Sequence, residues 1–400
     1  MYCRVDAPRH ALVRAREKFT MRLRTLLIAP NAFKGSLRAM ECARAMEAGA
    51  RDAVPDVRTI LHPISDGGDG LVEVLADALD AQVLRTEVAG ALPHQRVQAT
   101  WAMSRSRGTA IIEMASAAGL VLVPENRRDP KVTTTYGVGE LIREAVDRGA
   151  ASIIIGIGGS ATNDGGAGMA EALGVRFLDK RGAALQRGGI HLRDLARVDL
   201  TALDKRLGQV EITVACDVQN PLTGEQGASR VFGPQKGATP ADVRLLDEAL
   251  LHYGRLVGES CGQDVLTVPG AGAAGGLGAG LLAFCRAHLK KGIDIVLDAT
   301  GFDRDLASAD LVITGEGKID VQTRLGKAPA GVLRRASAAG KPVAALAGII
   351  EGEWGQYFGP DGFVDMIALV DEHTTVEEAM RHSRALVRKK TADMIRRLTA

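Results

Sequence analysis

The stretch that most constrains the fold is residues 152–168, SIIIGIGGSATNDGGAG. It opens with an apolar β-branched run, Ile153 to Ile157, of the kind that forms a buried strand in an α/β sheet. Glycines then alternate with short polar side chains, and a helix is predicted from Met169. A strand, a small-residue loop and a helix in this order bring backbone N–H groups close to an oxyanion such as phosphate. The alternative is that the glycines only form a tight turn.

Three other loops that follow predicted strands carry charged side chains. Lys34 follows the strand RTLLIAP, and Asp66 and Asp69 lie in the glycine-rich loop SDGGDG. Glu316 and Lys318 follow the strand at the start of DLVITGEGKID. Paired carboxylates suit Mg²⁺ or a polyol hydroxyl, because hard cations prefer oxygen ligands. The alternatives are a surface role for Lys34 and a helix N-cap role for one of the aspartates.

A second glycine cluster, PGAGAAGGLGAG at residues 269–280, runs into an apolar helix. The sequence leaves two interpretations open, a ligand-binding loop and a hinge that lets two domains close. The long irregular segment at residues 215–238 has several apolar anchors, which favours a functional loop over a plain linker.

Composition narrows the class of protein. A chain of 400 residues with 46% hydrophobic residues is expected to form two domains. A net charge of +2 and 4% aromatic residues favour neither nucleic acid nor an anionic membrane as a partner. The five cysteines are scattered without a CxxC pair, and no apolar run reaches the roughly 18 residues of a membrane span. We therefore expect a cytoplasmic α/β enzyme with reduced thiols.

The pattern of elements suggests a discontinuous domain. Residues 24–88 share a strand–loop–helix rhythm with the C-terminal part of the chain, whereas residues 81–135 have a more β-rich texture, and a domain boundary is expected near residues 88–92. The two ends are then residues 22–90 and 292–400, and the middle is residues 91–291. We predict that the two ends form one parallel-sheet domain and that the middle is inserted into it. The arginine-rich residues 1–21 are expected to be a disordered leader or an over-extended start, with Met21 beginning the folded part.

The chain lacks the sequence motifs of several enzyme classes. GxxxxGK[ST] and HExxH do not occur in the chain. Gly156 to Ala161 fits the dinucleotide fingerprint GxGxxA, with Asp179 at the end of a later strand. However, the first turns of the helix that this fingerprint needs would be broken by Asn163, Asp164, Gly165, Gly166 and Gly168, which disfavours an NAD-dependent dehydrogenase. Anion-friendly glycine loops without an obvious nucleophile fit phosphoryl transfer, which depends on positioning and charge neutralisation.

Six segments, in this order, resemble the signatures of the type-I glycerate kinase family. They are APNAFKGSL (29–37), PISDGGDG (63–70), GIGGSATNDGGAG (156–168), CDVQNPLTG (216–224), FGPQKGA (232–238) and TGEGKID (314–320). The resemblance implies a two-domain fold, a Rossmann- or flavodoxin-like parallel-sheet domain with an inserted α/β domain and the active site in the cleft between them. It also implies ATP-dependent phosphorylation of D-glycerate, most often to 2-phosphoglycerate, with ATP and Mg²⁺ as cofactors.

For the residues at positions that match the family's motifs, we hypothesise the following roles. The catalytic residues would be Asp69, Asp66 and Lys34, with one of the aspartates accepting the hydroxyl proton. The residues that bind ATP and its phosphates would be Gly158, Gly159, Ser160, Thr162, Asn163, Gly165, Gly166 and Lys318. The residues that bind substrate would be Asn31, Lys34, Asp217 and Asn220. The magnesium ligands would be Asp164 and Glu316.

Several alternatives stay open at this point. The chain could phosphorylate the 3-hydroxyl of glycerate or another small hydroxy acid. It could also be a glycerate sensor without turnover, although a sensor has no use for a metal-and-phosphate constellation. The expected partner is a small molecule, with no nucleic acid and no membrane, and a homo-oligomer is left open.

Overall fold

A computed structural model describes residues 21–65, 70–320, 328–352, 357–359 and 362–400. The chain divides into two compact units. Unit 1 comprises Met1–Asp66 and Val296–Ala400, and unit 2 comprises Gly67–Ile295. Residues 1–20, on which the predicted leader falls, lie outside the described residues. No helix in the described ranges is both long and apolar enough to cross a membrane.

The strands of the described residues follow in chain order. They are β1 Thr25–Pro30, β2 Arg58–Leu61, β3 Gln82–Ala89, β4 Arg96–Ser104, β5 Thr109–Glu113, β6 Ser152–Gly156, β7 Arg176–Leu178, β8 Arg197–Asp199, β9 Glu211–Ala215, β10 His288–Lys290, β11 Leu311–Ile319, β12 Val343–Ile350 and β13 Asp365–Ala368.

The α-helices of the described residues alternate with these strands. They are α1 Ala39–Ala53, α2 Leu71–Ala78, α3 Ala115–Ala118, α4 Tyr136–Asp147, α5 Ala167–Ala172, α6 Ala228–Phe232, α7 Pro240–Cys261, α8 Ala273–Cys285, α9 Gly292–Thr300, α10 Phe302–Ala307, α11 Ala328–Ala338, α12 Val376–Arg381 and α13 Ser383–Thr399. Short 3₁₀ helices form at Leu120–Leu122, Glu125–Arg127, Gly189–Asp194, Lys205–Gln209 and Pro234–Lys236.

Unit 1 is built on a parallel sheet with the strand order β13-β12-β11-β1-β2. Counted within the unit, this is the order 2-1-3-4-5 of flavodoxin-like folds. The order reverses between β1 and β11, so ligands are expected outside the carboxyl ends of these two strands. Apolar side chains such as Leu26, Ile28 and Ile313 are fully buried in this sheet, as its near-continuous apolar runs predict.

Helices α1 and α13 pack closely on this sheet of unit 1. A Cβ atom at Gly49 of α1 would lie 2.1 Å from the main-chain oxygen of Arg388 in α13. Arg388 also pairs with Asp52, with 2.6 Å between Nε and Oδ2. The glycine therefore permits the close approach of the two helices that cover the core of unit 1.

Unit 2 is built on a mixed sheet with the strand order β10-β9-β6-β5-β4-β3. Strands β10, β9, β6 and β5 are parallel, and β4 and β3 are added antiparallel. The apolar run predicted as the central strand is β6, with Ile153 and Ile155 fully buried. Each such side chain contributes roughly 1.5–3 kcal/mol relative to an exposed one. The small pair β7 and β8 lies apart from this sheet.

The fold class predicted from the sequence, an α/β chain with a parallel sheet and a second α/β part, is confirmed. The boundaries differ from those proposed at residues 90/91 and 291/292. Strand β3 pairs along its whole length with β4, from Gln82 opposite Met103 to Ala89 opposite Arg96, which assigns residues 67–90 to unit 2. The second crossing lies between Ile295 and Val296, inside α9. The β-rich texture predicted for residues 81–135 contains both strands, but the predicted boundary falls between them.

Candidate active site

The glycine loop of unit 2 begins with an exposed turn at the carboxyl end of β6. Gly158 and Gly159 are exposed, and Gly159 has a φ of 71°, which favours glycine. Among the described residues, none accepts a hydrogen bond from the N–H groups of Gly158, Gly159 or Ser160. The turn is itself fixed, since its Gly159 carbonyl accepts from the N–H of Leu120 at 2.8 Å. Three consecutive N–H groups on a fixed turn are suited to binding an anion.

The second half of the same loop is buried. Thr162 and Asn163 are fully buried, and Gly165 donates its N–H to the carbonyl of Gly275 at 3.0 Å. A Cβ atom at Gly275 would lie 1.9 Å from the main-chain oxygen of Thr162, and one at Gly166 would lie 3.0 Å from the Cα atom of Gly280. The glycines here allow two stretches of backbone to pack against each other.

This packing bears on four of the predicted phosphate-binding residues. Thr162, Asn163, Gly165 and Gly166 lie beneath α7 and α8 of unit 2 rather than at its surface. Their burial argues against direct contact with a nucleotide in this conformation. Three of the predicted residues, Gly158, Gly159 and Ser160, remain placed to bind phosphate.

The second glycine cluster, residues 269–280, packs against the buried half of the loop that follows β6. Gly270, Gly275 and Gly276 have φ values of 88°, 67° and 89°, and all three are buried within unit 2. Neither crossing between the units falls in this segment. The hinge interpretation is therefore not supported, because these glycines are fixed by close packing.

Asp164 is a buried carboxylate that is already fully hydrogen-bonded. Its oxygens accept from the N–H and the hydroxyl of Thr135 at 2.8 and 2.9 Å, and from the N–H groups of Gly166 and Gly168, both at 3.2 Å. Burial raises the pKa of Asp164, and these hydrogen bonds oppose that effect. The geometry favours a structural role that joins the loop to the start of α4, rather than the predicted role as a magnesium ligand.

Lys236 is a residue of this site to which the sequence analysis gave no role. It is 1% exposed, and its Nζ donates to Ser160 Oγ at 2.8 Å and to the main-chain oxygen of Thr162 at 2.6 Å. Burial lowers its pKa to about 7, although the charge of Asp164 acts in the opposite direction. The sequence feature that could have drawn attention to Lys236 is the segment FGPQKGA, which places this lysine in a turn between glycines and a proline.

Asp217 and Asn220 follow β9, which pairs with β6 in unit 2. Ala215 lies opposite Gly156 in the register, so Asp217 and the exposed glycine turn lie at the same edge of the sheet. Asp217 is exposed, and its Oδ1 accepts from the N–H of Gly292 at 2.9 Å. Asn220 donates its Nδ2 to the carbonyl of Gln226 at 2.8 Å, which holds its own loop closed.

In unit 1, Asn31 and Glu316 lie side by side at the switch point of the sheet. They follow Pro30 and Gly315, which are partners in the register of β1 and β11. The N–H of Asn31 donates to the carbonyl of Gly315 at 2.8 Å. Asn31 is 5% exposed and Glu316 is 6% exposed. The parallel sheet thus brings together two predicted site residues that are far apart in the sequence.

Two lysines flank this pair. Lys34 is exposed, and a Cβ atom at Gly317 would lie 3.3 Å from its main-chain nitrogen. Lys318 is 47% exposed at its side chain and pairs with Glu351 at 2.9 Å. That hydrogen bond raises the pKa of Lys318, so its side chain remains a cation. Unit 1 therefore has two cationic side chains close to the carboxyl ends of β1 and β11.

The predicted catalytic aspartates, Asp66 and Asp69, lie outside the described residues. The helix that follows their loop, α2, begins at Leu71, and the N–H of Val72 donates to Glu113 Oε1 at 2.8 Å. In the part of the chain that is described, no group of three or more His, Cys, Asp or Glu side chains is arranged to hold a metal ion.

These features define a class of protein. The chain is an α/β protein with polar and glycine-rich turns outside the carboxyl ends of parallel strands, where proteins of this class bind their ligands. Comparison with known proteins makes the class specific. The sequence model described as "Glycerate kinase family" matches residues 26–399.

Individual relatives agree with the family model. The chain is 48% identical to "Glycerate kinase" of Halalkalibacterium halodurans over 91% of this chain and 96% of that protein. It is 46% identical to "Glycerate 2-kinase" of Escherichia coli K12 over 89% of this chain and 93% of that protein. A crystal structure named as a glycerate kinase 2, from Salmonella typhimurium LT2, matches with a TM-score of 0.83 and 47% identity, covering 93% of this chain and 97% of that one. The chain belongs to the glycerate kinase family and is a kinase.

Proposed function

We propose that this kinase transfers the terminal phosphoryl group of ATP to the 2-hydroxyl of D-glycerate, giving 2-phosphoglycerate and ADP. The observation that carries the proposal is the 46% identity, over 89% of the chain, to a protein named as a glycerate 2-kinase. The arrangement of polar side chains in each unit is consistent with phosphoryl transfer, which needs anion binding and positioning more than covalent chemistry.

In unit 2, the exposed turn is the proposed binding site for phosphate groups of ATP. The support is that Gly158, Gly159 and Ser160 present three N–H groups without acceptors among the described residues. Such groups stabilise negative charge without reorganising, because the turn is held in place by neighbouring backbone. Asp217 and Asn220 remain proposed substrate-binding residues, and Asp217 has the more exposed side chain.

In unit 1, Lys34 and Lys318 are proposed to neutralise phosphate groups or the carboxylate of glycerate. Their support is position, since both lie near the carboxyl ends of β1 and β11. Asn31 is proposed to hydrogen-bond the substrate, because an amide can both donate and accept. Asp66 or Asp69 stays the proposed base that accepts the proton of the attacking hydroxyl.

The proposed metal is Mg²⁺, and the two predicted ligands fit it unequally. Asp164 does not fit, since its oxygens already accept hydrogen bonds from Thr135, Gly166 and Gly168. Glu316 fits, because Mg²⁺ in kinases is held by one or two carboxylates together with phosphate oxygens and water. When bound, the ion would neutralise phosphate charge, and Glu316, which lies within β11 beside the carboxyl end of β1, would hold it there.

The test is an ADP-release assay with D-glycerate and Mg²⁺, in which the product is coupled to enolase without phosphoglycerate mutase. ADP release together with an enolase signal is expected for a 2-kinase. ADP release that gives an enolase signal only after mutase is added would instead establish phosphorylation of the 3-hydroxyl. Turnover with other small hydroxy acids in preference to glycerate would overturn the substrate assignment. No ADP release from folded protein would favour the sensor.

A further inference from the structure

The strongest unexplained feature is the buried ammonium group of Lys236. It lies inside unit 2 with 1% exposure, where a cation is costly unless it is hydrogen-bonded. Its two hydrogen bonds go to Ser160 Oγ and to the carbonyl of Thr162, which are neutral groups. Asp164 is the carboxylate whose charge acts on it, but Asp164 hydrogen-bonds Thr135 and loop N–H groups instead. The lysine is therefore bonded to the glycine loop and not to a counter-ion.

This arrangement fixes the role of the Ser160 hydroxyl. In its charged form Lys236 can only donate, so Ser160 Oγ accepts from it and the hydroxyl proton must point elsewhere. Within the described ranges, that hydroxyl donates to no other residue. Ser160 is 7% exposed and directly follows the exposed Gly159. The hydroxyl proton is thus left available to a ligand on the turn.

We propose that Lys236 is a positioning residue that orients and polarises the Ser160 hydroxyl as a donor to a phosphate oxygen bound at the turn of residues 158–160. This inference rests on the proposed phosphate-binding role of that turn. Hydrogen bonds in a chain strengthen one another in a low-dielectric interior, so a charge behind Ser160 makes its hydroxyl a better donor. Lys236 also donates a hydrogen bond to the main-chain oxygen of Thr162, so it contacts the loop on both sides of Ala161 and holds the turn in place.

A double-mutant cycle distinguishes this role from a merely structural one. The affinity for MgATP is measured by calorimetry below pH 7, where Lys236 is charged, for the wild type, Ser160→Ala, Lys236→Met and the double variant. Ser160→Ala is expected to weaken binding by about tenfold in the wild-type background. In the Lys236→Met background it is expected to weaken binding by less than about twofold, because the hydroxyl is no longer oriented. An equal loss in both backgrounds would overturn the proposal.

The control is Lys180→Met, which removes the same charge from an exposed position of unit 2 and should leave MgATP affinity unchanged. If Lys236→Met does not fold, the proposal is tested in the wild type by NMR of labelled lysine. Binding of MgATP should raise the pKa of Lys236, since a bound anion stabilises the charged form. An unchanged pKa of Lys236 in protein that binds MgATP would overturn the proposed positioning role of Lys236 but not the proposed function. Folded wild type that does not bind MgATP would overturn the proposed function as well.

Discussion

The glycine loop after β6 contains two halves that look alike in sequence and differ in structure. Gly158 and Gly159 form an exposed turn whose N–H groups have no acceptor among the described residues. Gly165 and Gly166 are buried, and they pack against the backbone of the second glycine cluster. The comparison shows that the glycines of one motif can form both an exposed turn and a closely packed segment. Mutations in the two halves should therefore have different consequences.

The largest expected effect is on folding, through the buried contact. Gly275→Ala should lower the free energy of unfolding of the chain by about 3 kcal/mol or more. Its φ is 67°, and its Cβ would lie 1.9 Å from the main-chain oxygen of Thr162. Chemical denaturation measures the change.

Gly182→Ala is the matched control for this substitution. Its φ of 77° is similar, but no atom lies within 4 Å of the added Cβ. It should cost only about 1 kcal/mol, from the left-handed backbone alone. Equal losses at Gly275 and Gly182 would contradict the account of the packed half.

Asp164→Asn should also act through folding, with a loss of about 2 kcal/mol in the free energy of unfolding. The amide of the new asparagine would place its own N–H groups opposite backbone N–H groups that now donate hydrogen bonds to the Asp164 carboxylate. The Mg²⁺ concentration for half-maximal activity should not change. Glu316→Gln is the counterpart and should raise that concentration several-fold. A raised Mg²⁺ requirement in Asp164→Asn would restore Asp164 as a metal ligand.

In the exposed half, Gly158→Val should change binding and spare the fold. Gly158 is exposed and does not have a positive φ, so stability should change by less than about 0.5 kcal/mol. The added side chain would obstruct the proposed anion site and raise the KM for ATP by about tenfold. Steady-state kinetics and a thermal melt together check both parts, and a normal KM would contradict the assignment of the turn.

A pH dependence of stability is expected at the junction of the two halves. The pKa of Lys236 is lowered to about 7 by burial, well below the ordinary value of 10.5. Between these values the unfolded chain binds more protons than the folded one, so stability gains with rising pH. The wild type should therefore gain stability relative to Lys236→Met from about pH 7 to pH 10. Parallel pH profiles of the two proteins would show that the lysine titrates normally.

The sequence predicted the local part of this arrangement. The apolar run at Ile153–Ile157 gave β6 and its glycine loop, because a buried strand and a small-residue loop are signalled by neighbouring residues. Asn31 and Glu316 were predicted as site residues, and the parallel pairing of β1 with β11 places them side by side.

The rest depends on contacts between distant segments. That Gly165 would pack on Gly275 could not be read from local composition. Lys236 was overlooked for the same reason, since a lysine in a turn is usually solvated and only its packing against Ser160 shows otherwise.

The most direct test of the two-halves account is amide hydrogen exchange, resolved by residue, with and without MgATP. In the free protein, the amides of Gly158, Gly159 and Ser160 should exchange fast, and the amide of Gly165 should already be protected by its bond to Gly275. MgATP should slow exchange at the turn and leave Gly165 unchanged. Fast exchange at Gly165 that becomes slow only with MgATP would contradict the account, because the buried half would then be part of the ligand site.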